Sequence, residues 1–66
     1  MRIKINGKQF DLQDGASIET AILSHNINPE TVVVELNERI IKKIEWSTIS
    51  LKENDAMEIV SFVGGG

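Results

Sequence analysis

Ile3 and Ile5 alternate with Arg2 and Lys4, and Phe10 and Leu12 alternate with Gln9 and Asp11, so two short stretches carry the two-residue period of half-buried strands. Asn6-Gly7 lies between them. Both central residues of a type I′ turn need positive φ, which asparagine and glycine tolerate best, so the segment reads as a β-hairpin. The period then changes. Ile18, Ala21 and Ile22 fall at i, i+3 and i+4, one apolar stripe of a helix, with Glu19, Thr20 and Ser24 off the stripe. Ser17 stands where a hydroxyl caps the first turn, Glu19 places negative charge beside the free N–H groups, and Asn26 suits a left-handed cap at the far end.

After Asn28-Pro29-Glu30, the β-branched run Thr31-Val32-Val33-Val34-Glu35-Leu36 predicts a strand, and Asn37-Glu38 turns it into the short strand Arg39-Ile40-Ile41. Ile44, Trp46, Ile49 and Leu51 follow no single period, and the reading there is a 3₁₀ turn. Lys52 to Asp55 is a polar turn before a last strand from Ala56 to Val63, with Met57 and Ile59 on one face and Glu58, Val60 and Phe62 on the other.

The order ββαβββ predicts an α+β fold: a mixed sheet of about five strands wrapped around one helix, with the first and last strands adjacent and parallel. That arrangement is the ubiquitin-like β-grasp. The division is a domain over residues 1–63 and a flexible C-terminal glycine tail over 64–66. Ile3, Ile5, Met57 and Ile59 then face the helix, while Val60 and Phe62 face solvent beside the tail as a patch for partner docking.

Sixty-six residues without cysteine leave stability to one small apolar core. With 41% hydrophobic and 26% charged residues the chain has the balance of a globular domain rather than of a disordered one. Ten acidic against seven scattered basic residues argue against nucleic acid as a partner. The longest apolar run is three residues and the start lacks a signal-peptide pattern, so no membrane is expected and the location is read as cytoplasmic.

Catalytic constellations are not in view: there is no cysteine or tyrosine, one histidine, and no metal-ligand spacing. The chain is therefore read as a non-enzyme with no metal site and no bound cofactor. His25 continues the apolar stripe and reads as structural; Asp14, Glu53 and Asp55 are turn residues on solvated surface, and Trp46 is expected to pack with Ile40 and Ile44. The chemistry concentrates in Gly64, Gly65 and Gly66. At a glycine usage of ~7%, such a run at a defined end arises by chance in roughly one chain in 3,000. Without side chains it threads a tunnel too narrow for other residues, with a reach of ~10 Å. A terminal carboxylate at Gly66, anionic at neutral pH with a pKa of about 3.5, needs activation before it can react with a nucleophile.

Val32-Val33-Val34-Glu35-Leu36-Asn37, Trp46, and the ending Glu58-Ile59-Val60-Ser61-Phe62-Val63-Gly64-Gly65-Gly66 resemble the ThiS family of sulfur carriers in thiamine biosynthesis. The resemblance runs over nearly the whole chain. It implies that a ThiF-type, E1-like enzyme adenylates Gly66 with ATP, that sulfur from a donor enzyme displaces AMP to form a thiocarboxylate, and that a ThiG-type thiazole synthase consumes this sulfur. Gly64 and Gly65 would thread the partner's active site. Where many members have a proline and an arginine after the fourth strand, this chain has Lys42 and Lys43, and Asn54-Asp55 replaces a Gly-Asp turn. The alternatives are a molybdopterin-type sulfur carrier, a ubiquitin-like modifier joined to lysines, and an interaction module that transfers nothing.

Overall fold

The computed structural model describes residues 1–62. The hairpin forms as its pattern requires: β1 (Arg2–Ile5) pairs antiparallel with β2 (Lys8–Asp11), and the turn holds Asn6 at φ 52° and Gly7 at φ 84°. The helix α1 spans Ile18–Ser24. At seven residues it is far below the length at which a helix is stable alone, so its ends and its packing must hold it.

Both ends are satisfied locally and at a distance. Ser17 Oγ accepts the Thr20 N–H at 3.1 Å, and the first-turn amides of Ile18 and Glu19 donate to the carbonyls of Ile49 and Trp46, each at 3.1 Å. The irregular stretch after Ile41 thus supplies acceptors to N–H groups that a helix start always leaves free. Leu51 N–H donates back to Ala16, and Ser17 and Ser50 form an isolated bridge. At the other end Asn26 takes φ 58°, and Ile27 N–H reaches the Ile22 carbonyl at 3.3 Å, which turns the chain out of the helix.

A 3₁₀ turn (Pro29–Thr31) leads into β3 (Val32–Leu36), which returns through Asn37 and Glu38, both at positive φ, to β4 (Arg39–Ile41). A second 3₁₀ turn covers Lys43–Glu45, and β5 spans Ala56–Ser61. The sheet order is β2-β1-β5-β3-β4. β1 and β5 are parallel in register Lys4↔Ala56 and Ile5↔Met57, and β5 runs antiparallel to β3. This is the α+β, β-grasp arrangement expected from the order of elements.

One face of the sheet closes on α1. Ile3, Ile5, Val32, Val34 and Met57 meet Ile18, Ala21 and Ile22, and Trp46 and Leu51 seal the end beneath the helix start. No polar or charged side chain is buried among the described residues, so the core rests on apolar packing alone.

The loop after β4 takes proline-compatible angles at the place where the family resemblance implied a proline. Lys42 sits at φ −66°, ψ 142°, angles a proline ring also imposes, and Lys43 pairs with Glu30.

Two stability outcomes follow. Ile22 is fully buried and Ile44 is 85% exposed, so Ile22→Ala should cost about 3 kcal/mol and Ile44→Ala less than about 0.5 kcal/mol in urea denaturation. Because Lys42 already has proline angles and follows an extended residue, Lys42→Pro should stabilise by about 0.4–1 kcal/mol in the same assay.

Candidate functional site

The glycine tail follows β5, so what holds β5 sets where the tail begins. On one flank β3 pairs with β5 from Leu36↔Met57 to Val32↔Ser61, and Phe62 N–H donates to Thr31 beyond the last pair. On the other flank β1 pairs with Ala56 and Met57 and then turns away at Asn6. Two asparagines at positive φ reach β5 from the adjoining turns. Asn37 accepts the Ala56 N–H on Oδ1 at 3.0 Å and donates from Nδ2 to Asp55 Oδ1 at 3.0 Å. Asn6 accepts the Ile59 N–H at 2.7 Å and donates from Nδ2 to the Ile59 carbonyl at 3.2 Å.

The outer face of the sheet carries the docking residues read from the sequence. Val60 is 52% exposed on the outward alternation of β5, and Phe62, one residue past the end of the strand, is 55% exposed and lies by Val33 and Ile40. The structure adds neighbours that the sequence reading missed. Val33 lies directly across from Val60, and Ile40, 71% exposed on β4, stands one strand further along the same face. The alternation of β3 held the signal for Val33, since Val32 and Val34 point inward, but an unbroken run of valines conceals it. Phe62, Val33 and Ile40 line a shallow groove with Pro29, Lys42 and Trp46.

The expectation for Trp46 needs correction. Its ring is 3% exposed and belongs to the main core, with Nε1–H donating to the Ile41 carbonyl at 3.2 Å, whereas Ile40 and Ile44 are both exposed and form no cluster around it. Helix-end acceptors draw the Trp46 segment under α1 and leave Ile44 outside. The turn acids are also more than solvated surface. Asp55 Oδ2 accepts the Lys52 N–H at 2.7 Å and closes its own turn, and Glu53 Oε1 accepts the Arg2 N–H at 2.9 Å and ties that turn to β1.

His25 stays structural: its Nδ1–H donates to the Ala21 carbonyl at 2.9 Å, and its ring meets Phe10 edge-on at 4.8 Å. Among the described residues no three His, Asp or Glu side chains gather as a metal-binding group, and no helix is long and apolar enough to cross a membrane. The last strand ends at Ser61, short of the expected Val63, because the pairing with β3 runs out at Val32↔Ser61; Val63, Gly64, Gly65 and Gly66 lie outside the described residues.

A model of the ThiS family matches residues 3–66, from the first strand through the glycines. The chain belongs to the ThiS family. It is 35% identical over 65 residues to the sulfur carrier protein ThiS of Bacillus subtilis, covering 97% of this chain and 98% of that one. It is also 32% identical over 66 residues to a thiazole synthase of Magnetococcus marinus, but there the chain spans only 20% of the relative's length. The crystal structure of the thiamine biosynthesis protein ThiS from Geobacter metallireducens superposes with a TM-score of 0.87 at 26% identity, over the full length of both chains. A fold shared at that level places the family's β-grasp on this sequence.

Exposed side chains contribute little to folding, so Phe62→Glu should change stability by less than about 0.5 kcal/mol. Val60→Glu loses one cross-strand contact and should cost less than about 1 kcal/mol, whereas Met57→Glu, at a site 1% exposed, should abolish the cooperative urea transition.

Proposed function

We propose that the chain is a sulfur carrier for thiazole formation in thiamine biosynthesis, acting in the cytoplasm as a co-substrate and not as a catalyst. The observation that carries this reading is the family match through Gly66, joined to an apolar outer face at the strand from which the tail departs. The nearly full-length similarity to the Bacillus subtilis carrier supports it. The thiazole synthases with a similar stretch support a thiazole synthase as one partner, since one polypeptide there contains both a carrier-like segment and a much longer remainder.

The chemistry follows from a carboxylate that is a poor electrophile. In the active site of an E1-like enzyme, a Gly66 carboxylate oxygen attacks the α-phosphorus of ATP and pyrophosphate leaves. The resulting acyl adenylate has a good leaving group. Hydrosulfide, or sulfur delivered by a donor enzyme at the same oxidation level, adds to the carbonyl carbon, and AMP departs with the electrons of the broken C–O bond. One proton is released, and the product is the Gly66 thiocarboxylate.

Gly64 and Gly65 serve as the threading segment. From Phe62 to Gly66 four residues span at most about 14 Å, so the partner must bind close to the outer face for its active site to reach the end. Val60 and Phe62, with Val33 and Ile40, form the surface on which it docks; ATP and the sulfur donor belong to the partners.

Intact mass spectrometry after incubation with ATP, an E1-like adenylating enzyme and sulfide tests the reading. One oxygen exchanged for sulfur is expected, and deletion of Gly66 should abolish it. Phe62→Glu should raise KM about tenfold with little change in kcat, the pattern of lost docking rather than lost chemistry. Isopeptide adducts on lysines would identify a modifier instead, and an unchanged mass an interaction module. Restoration of molybdopterin synthesis but not thiazole synthesis would move the chain to the other carrier branch.

A further inference from the structure

β5 is held unequally on its two flanks. Toward β3 its pairing is continuous to Ser61 and is extended by Phe62 N–H to Thr31. Toward β1 the backbone pairing reaches only Met57, where Asn6 N–H donates to the Met57 carbonyl at 2.9 Å. Beyond that point β1 has turned into the hairpin, and Ile59 meets the Asn6 carboxamide in place of a strand. The amide has the donor and acceptor pair of a peptide group and uses both, on the N–H and the carbonyl of the same residue, across 53 positions of sequence. It acts as one further rung of a parallel ladder.

We infer that Asn6 is a positioning residue for the tail: its side-chain rung extends the β1 edge along β5 and fixes the direction in which the chain leaves the sheet toward Gly66. The inference rests on the carrier reading above and adds a residue remote from the reacting carboxylate. Without this rung, Ile59 N–H and carbonyl lose their protein partners and residues 58–62 hang from β3 alone. The base of the tail then samples more directions, and a partner that must receive the glycines in one direction has to order them on binding.

The residue has two duties that can be separated. Its φ of 52° belongs to the turn, which glycine adopts without strain, while the two hydrogen bonds belong to the amide. Asn6→Gly therefore keeps the turn and deletes the rung. Asn6→Asp keeps an acceptor for the Ile59 N–H but sets an oxygen against the Ile59 carbonyl in place of the donor.

The test combines amide hydrogen exchange by NMR with the kinetics of ATP-dependent Gly66 modification, at a temperature where every variant is fully folded. In Asn6→Gly, exchange should accelerate about fivefold or more at Ile59 with protection at Ile3, Ile22 and Val34 unchanged, because only one local pair of bonds is removed. The kcat/KM for modification should fall about fivefold, mainly through KM, with Asn6→Asp between Asn6→Gly and the original chain. A uniform rise in exchange makes Asn6 a contributor to global stability only and overturns the inference, as does an unchanged kcat/KM in a variant whose Ile59 exchanges faster. If the original chain itself is not modified, the carrier reading fails, and the exchange result still decides whether Asn6 fixes the end of β5.

Discussion

The insertion of β5 between β1 and β3 is the constraint on which the rest of the molecule depends. Its parallel edge joins the first and last strands of the described chain, its antiparallel edge joins the second hairpin, and its inward residues Met57 and Ile59 complete the floor under the helix. Neither hairpin alone buries a face. Only when β5 arrives do Ile3 and Ile5 lie in one sheet with Val32 and Val34, giving Ile18, Ala21 and Ile22 a continuous apolar surface to cover. The core is therefore a product of long-range pairing.

The same constraint gives the tail a firm origin. On the proposed carrier function a partner's active site receives the glycines, which calls for a fixed base, and β5 is at the centre of the sheet rather than at an edge. Asn37 binds its first residue, Ala56, and Asn6 binds Ile59 further along, from turns that belong to different hairpins. Each turn asparagine meets a local backbone requirement and a distant hydrogen-bonding one. The exposed apolar residues lie on the opposite face from the core, so the docking proposed for them and the folding of the core draw on different sides of the sheet.

Much of this was legible in the sequence because the periods were clean. The Asn-Gly hairpin, the Ser17 cap, the Ile18–Ala21–Ile22 stripe and the left-handed Asn26 each follow from local sterics and hydrogen bonding, and the structure holds each where the pattern placed it. The stretch from Lys43 to Leu51 was less readable because its role is not periodic: its carbonyls serve the helix start, which spacing along the chain cannot reveal. That is why spacing alone groups Trp46 with Ile40 and Ile44, whereas tertiary packing puts the ring in the core and the two isoleucines outside. The outer apolar face is half visible, since Val60 and Phe62 alternate outward in plain view, while Val33 and Ile40 join them only through strand register.

By itself, the sequence determined the elements, their order and the glycine ending, because turns, caps and amphipathic periods are encoded by neighbours within a few residues. Family membership was likewise carried by the linear pattern, which the family model matches over residues 3–66. Tertiary structure alone decided which exposed apolar residues share a face, which carbonyls finish the helix, and that the Asn6 amide takes the place of a missing strand beside Ile59. Those contacts join residues tens of positions apart, and their partners are chosen by how the strands pack.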